Sequence, residues 1–138
     1  MEKTRITSFK DLEVYKRSYA SCLIVMTKII PMLPVIEKYD LVSQLSRSSK
    51  AVPRLIAEGY AKKHQKKGFQ KYLDDALAES NETEVSLSQC RDIYPDNIDI
   101  PLCNSLIKDY EIISKQIFRL RQTWHNFTDY ADKKNSPA

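Results

Sequence analysis

Any chemistry in this chain would have to come from a small set of side chains. Glu79, Glu82 and Glu84 lie close together and could suggest a metal-binding or acid-base cluster. On a helix only Glu79 and Glu82 share a face, because residues three or four apart are surface neighbours. His64 and His125 are far apart in the chain, and the Glu-x-x-His pattern of di-iron bundles does not occur. No metal is expected. Cys22, Cys90 and Cys103 are odd in number, lack the C-x-x-C spacing, and fall on apolar stripes or beside a helix start, as inert core thiols do. Ser48 and Ser49 have no histidine near them in sequence. The two glycines, Gly59 and Gly68, cannot build a glycine-rich phosphate loop. Glu58 beside Gly59 is a polar pair, but Arg54 and Lys62 lie four residues away on either side. Each such ion pair is worth about 0.2–0.5 kcal/mol and accounts for the glutamate. The expectation is a protein that is not an enzyme, with no cofactor and no small-molecule substrate.

What remains is charge. From Arg47 to Lys71 there are eight Lys or Arg and one acid, Glu58; from Tyr72 to Asp92 there are six acids and one base, Arg91. The apolar period does not change where the sign flips. At roughly 100° per residue, Arg47, Lys50, Arg54, Glu58 and Lys62 fall within an arc of about 120°, opposite the apolar stripe. Lys63, Lys66, Lys67 and Lys71 extend the positive region, with His64 and Gln65 beside them. These residue types suit phosphate-backbone contacts, which release counterions and carry no base specificity. Arg47, Lys50, Arg54, Lys62, Lys63, Lys66, Lys67 and Lys71 are therefore the candidate nucleic-acid-binding residues, with RNA as the partner. Tyr60, Phe69 and Tyr72 are nearby rings for base stacking, with Phe69 assigned to the core. A second reading stays open: a solvated face balanced by the following acidic segment, inside the molecule or across a subunit contact. No aromatic RNP motif or GXXG loop is present.

The elements that must carry these residues are helical. Glycine scarcity argues against sheets and tight turns, and no apolar-polar alternation competes. The spacing predicts helices over about 9–33, 41–63, 67–93 and 102–126. Ser8 with Asp11 forms a capping box for the first, and Asp40 is the N-cap of the second. Leu12, Tyr15, Tyr19, Cys22, Leu23 and Met26 begin the inner stripe of the first helix, which continues through Ile29, Ile30 and Leu33. Pro53 bends the second helix, and Gly59 marks a close approach by a neighbour. Residues 94–101 form a loop. The fold class is all-α, an antiparallel up-and-down four-helix bundle. Residues 1–8 form an N-terminal arm, 9–127 the bundle, and 128–138 a polar tail, disordered beyond Asp132. Surplus apolar residues such as Val42 and Tyr60 hint at a homo-oligomer. With 138 residues, a net charge of +4, no signal peptide and no membrane span, the expected location is cytoplasmic, where free thiols persist.

Phe9-Lys10-Asp11-Leu12-Glu13-Val14-Tyr15 resembles the opening of the proteins encoded in intervening sequences of bacterial 23S rRNA genes, F-x-D-L-x-V-[WY]. Tyr39-Asp40-Leu41 with Gln44-Leu45-Ser46-Arg47, then Val52-Pro53-Arg54-Leu55-Ile56-Ala57-Glu58-Gly59, resemble that family's Y-G-L-x-x-Q-[LI]-x-R and [IV]-P-x-N-I-A-E-G segments. Phe69 to Leu73 and Ala76 to Glu82 are similar to its F-x-x-[FY]-L-x-x-A-x-G-S-x-x-E helix. Asp40, Leu55 and Glu79 depart from the usual Gly, Asn and Gly. The resemblance implies a four-helix bundle assembled into a ring, commonly a pentamer, associated with ribosomal RNA through its gene location. A related branch, the accessory proteins of diversity-generating retroelements, implies an alternative role beside a reverse transcriptase.

Overall fold

The apolar periodicity is realised as helix almost throughout. The computed structural model describes residues 6–65 and 67–135. Four helices carry the chain: α1 Glu13–Ile24, α2 Leu41–Ala61, α3 Gly68–Ile93 and α4 Ile100–Asn135. Among the described residues there is no strand.

The first helix is less regular than its spacing predicts. A 3-10 turn at Phe9–Asp11 precedes α1, a π-helical stretch at Val25–Ile29 follows it, and a second 3-10 turn spans Ile30–Met32. Pro31 has no N–H to donate and its ring crowds the preceding turn, so the ladder widens before it and tightens around it. The expected capping box is present: the Ser8 hydroxyl accepts from the Lys10 N–H at 3.0 Å, and the Asp11 carboxylate accepts from the Ser8 N–H at 3.1 Å.

Helix ends differ from expectation for local reasons. Asp40 occupies the N-cap of α2, but its side chain makes no capping bond. Glu37 takes the role at long range, accepting from the Leu41 N–H at 3.5 Å, while Asp40 accepts from the Gln44 amide at 3.4 Å. The expected 94–101 loop is shorter, because Ile100 and Pro101 already belong to α4. Proline is tolerated in a first turn, where its missing donor has no partner to lose. Asp99 caps that turn by accepting from the Leu102 N–H at 3.1 Å. At the far end α4 runs to Asn135, so the segment expected as a disordered tail is helical to that point. Extending a nucleated helix adds one hydrogen bond per residue and needs no apolar face.

The main contacts of α2 are with α1 and α3, and those of α4 are with α3 and α1. Thr83 of α3 bonds Ser48 of α2 at 2.8 Å, while Gly59, further along α2, faces Leu73, earlier in α3. Likewise Cys103 of α4 bonds the Leu87 carbonyl at 3.3 Å, Ser114 meets Ser80, and Arg121 meets Asp74. Partner numbers fall along one helix as they rise along the other. Leu45, Val52, Ile56, Leu73, Leu87 and Ile113 are among the fully buried core residues. Each such side chain contributes about 1.5–3 kcal/mol by leaving water.

The inner stripe expected on the first helix is partly misplaced. Tyr19 and Leu23 are 50% and 51% exposed. Cys22 is buried as expected, and Val14, Ser18 and Ser21 are buried beside it. This seam of small residues lets α1 approach closely, with the Cys22 thiol 3.8 Å from the Ser49 hydroxyl on α2. Turning the seam inward rolls Tyr19 and Leu23 toward the surface, while Tyr15 stays packed against the core.

Candidate nucleic-acid interface

Helix α2 buries Val52, Pro53, Ile56 and Gly59 and leaves Arg47, Arg54 and Glu58 exposed, with Lys50 half-buried. This division follows from the helical period. Arg47, Lys50 and Arg54 recur at three and four residues and stand on the outer side of the helix.

The row is not uniform in its partners. The Arg47 guanidinium pairs with Glu82 of α3 at 2.9 Å. Among the described residues, no carboxylate lies within ion-pair distance of Lys50, Arg54, Lys62, Lys63, Lys67 or Lys71. The charge switch seen in the sequence is therefore met by a direct ion pair at Arg47 and by none among the described residues further along the ridge.

Lys50 and Arg54 divide two grooves. The α2–α3 groove, about 710 Å3, is polar: Ser43, Ser46 and Arg47 on one side, Asp75 and Glu79 on the other. Burial, and then the neighbouring Glu82 carboxylate, raises the Glu79 carboxyl above its usual range, with Arg47 acting in the opposite direction. One Glu79 oxygen is buried with no hydrogen-bond partner. Leu55, which stands where the resemblance expects Asn, lines this groove and is half-buried. The α1–α2 groove, about 370 Å3, is apolar and aromatic, lined by Phe9, Tyr15, Tyr19 and Leu23.

The turn between α2 and α3 gathers the remaining cations. Lys62 is the C-cap of α2, and Lys67 and Lys71 are exposed. Lys66 lies outside the described residues. Lys67 is left-handed, with φ 66°, a conformation that costs free energy in a residue with a Cβ. The glycine stands one position later for another reason: a Cβ on Gly68 would sit 2.7 Å from the Gln65 Cβ.

The rings proposed from sequence for base stacking are mostly committed elsewhere. Phe69 is 1% exposed. Tyr60 holds the Lys63 ammonium 3.5 Å from its ring centroid and meets Trp124 edge-on at 6.2 Å. Trp124 in turn packs edge-on against Phe69 at 5.7 Å. Tyr72 is half-buried. The rings that do line a groove beside cations are Tyr15 and Tyr19; Tyr15 also packs on the core as its spacing predicts, whereas Tyr19 is half exposed. Spacing alone cannot separate an inner stripe from one at the edge of a helix contact.

The nucleophile candidates are enclosed. The Ser49 hydroxyl donates to the Leu45 carbonyl at 2.6 Å, and Ser48 accepts from Thr83. Burial pushes the Cys90 thiol up to about 12, and raises Cys103 as well. Among the described residues no group of three His, Cys, Asp or Glu side chains could hold a metal ion, and the His125 side chain lies outside them. No helix is long and apolar enough to cross a membrane among the residues described.

Residues 10–119 match the family model of the 23S rRNA-intervening sequence protein. The chain belongs to that family. No curated protein and no solved structure is similar enough to the chain to count as a match. The matched span contains all of α1, α2 and α3 and more than half of α4. It therefore includes Lys50, Arg54 and the α2–α3 turn.

Proposed function

We propose that this member of the 23S rRNA-intervening sequence protein family is a non-catalytic, oligomeric, antiparallel up-and-down four-helix bundle that binds RNA. It does so through the outer face of α2 and the α2–α3 turn. The observation that carries this reading is the set of cations, Lys50, Arg54, Lys62, Lys63, Lys67 and Lys71, without carboxylate partners among the described residues. Such groups gain most from a polyanion, because no internal ion pair has to be broken first. The family's name supports ribosomal RNA as the target. The falling and rising partner numbers along α2, α3 and α4 support the antiparallel order. Three buried free cysteines support work in a reducing cytoplasm. The test is a titration with 23S rRNA fragments between about 50 and 200 mM salt. Engagement of the six cations gives a log-log salt slope near −5, from about 0.9 per contact. No binding at about 50 mM removes the reading.

Self-assembly is supported by a separate surface. Met32, Val35, Ile36 and Tyr39, on the link between α1 and α2, are 49%, 87%, 84% and 86% exposed. A cluster of this kind on an ordered segment suits a contact between subunits. The charge-based assembly considered from sequence has less support, because the acidic wall of α3 already faces α2 of the same chain.

A further inference from the structure

The geometry points to a single-stranded nucleotide site in the α1–α2 groove, where an unpaired base stacks on Tyr19 while its phosphates lie on Lys50 and Arg54. The inference rests on the RNA-binding reading and narrows the partner to unpaired RNA.

Three observations meet here. First, Phe9, Tyr15 and Tyr19 form a row of rings, with centroids 4.9 Å apart at 78° and then 5.9 Å apart at 34°. Phe9 and Tyr15 hold the inner end, and Tyr19 ends the row half exposed, its orientation supported by the ring behind it. Second, the groove holds about 370 Å3, within the rough 300–1,000 Å3 range of small-ligand sites. Leu23 and Met26 continue its apolar floor. Third, Lys50 and Arg54 form its rim, and both lack an ion-pair partner among the described residues.

An apolar partner would be matched by the floor but would leave two cations at its margin without compensation. Duplex RNA would satisfy the cations but leave the rings unused, because its bases are already stacked. A single strand uses both, offering a π-face to the ring and a phosphate to the rim, the combination that sequence-tolerant single-strand sites use.

The experiment compares full-length wild type, Tyr19→Ala and Tyr19→Phe by fluorescence anisotropy. The probes are single-stranded and duplex RNAs of equal length at about 50 mM salt. Tyr19→Ala is expected to weaken single-strand binding roughly 5- to 100-fold and to leave duplex binding within about 2-fold, the span expected for one lost stacking ring. Tyr19→Phe keeps the ring and is expected to keep the affinity. Equal losses on both RNAs, or no loss on either, overturn the site while leaving the RNA-binding reading intact. Absence of RNA binding by the wild type removes both. Solution mass is measured for all three proteins: a drop in Tyr19→Ala alone means that a second copy covers the groove, which also overturns the site. Photocrosslinking of the single strand to the peptide containing Tyr19 gives a readout independent of folding losses in the variants.

Discussion

Arg47 on α2 and Glu82 on α3 meet at 2.9 Å, and this contact neutralises one end of the basic ridge. The arginine side chain is 67% exposed and the glutamate 35%. A pair of that exposure stabilises the fold by about 0.2–1 kcal/mol at most. Its larger consequence is for binding, because a phosphate reaching Arg47 must compete with a carboxylate already in place.

Arg54 and Arg47 should therefore behave differently toward RNA despite lying on one ridge. Arg54→Ala is expected to flatten the log-log salt slope by about 0.7–0.9, the value of one phosphate contact on a single strand or a duplex. Arg47→Ala should change it less, and Glu82→Gln should steepen it by releasing Arg47. Salt-dependent anisotropy titrations on the three variants check this order. Equal effects of the two arginine substitutions would mean that the ion pair does not shield Arg47.

Glu79 carries a pH signature of opposite sign to a salt-bridged acid. Its carboxyl is raised above 4.5 in the folded protein, chiefly by burial. The folded chain then holds its proton more tightly than the unfolded chain, so stability falls as pH rises through the window above 4.5. Above the folded value both states are ionised and the full penalty remains. Below 4.5 both are protonated and it disappears. Glu79→Gln is expected to raise the melting temperature at pH 7, with the gain fading toward pH 4. Thermal melts across that range check the sign; a variant less stable at pH 7 contradicts it.

Gly59 is a packing contact. A Cβ there would meet Leu73 Cδ2 at 3.3 Å and Trp124 Cζ3 at 3.6 Å. Alanine gains about 1 kcal/mol of helix propensity but presses on a fully buried leucine, so Gly59→Ala should be near neutral. Gly59→Val adds branches that the site cannot hold and should cost about 1–3 kcal/mol. Urea denaturation separates the two, and a valine variant as stable as wild type would show that α3 and α4 can move away.

Much of this could be read from the chain. The four helices, the capping box at Ser8, the close approach at Gly59 and the outward row of Arg47, Lys50 and Arg54 all follow from period and residue type. The sequence was silent where two helices choose between competing faces. On α1 the bulky Tyr19 and Leu23 stay exposed, while the smaller Ser18 and Ser21 are buried beside Cys22. Close helix approach can favour small side chains, and hydropathy does not register this preference. Balance of the basic face by the following acidic segment is one of the two readings the sequence leaves open, but the pairing of Arg47 with Glu82, 35 residues away, is not legible in it. At the end of α4, polar composition predicts a tail, although each residue added to an established helix gains a hydrogen bond.

The link between α1 and α2 supplies the last test. Val35–Glu37 form one tight turn, and Glu37 accepts a hydrogen bond from the Tyr94 hydroxyl at the end of α3. That bond ties the link to the helical body while Val35, Ile36 and Tyr39 point away from the core. A residue already exposed in the monomer loses little when made polar, so Val35→Asp with Ile36→Asp should change the stability of a monomer by no more than about 0.5 kcal/mol per substitution. If these side chains sit between subunits, the same double substitution buries two charges at the contact and breaks it. The expected result is a fall in solution mass by light scattering, with helical circular dichroism unchanged. An unchanged mass for a wild-type oligomer would place the subunit contact elsewhere on the bundle.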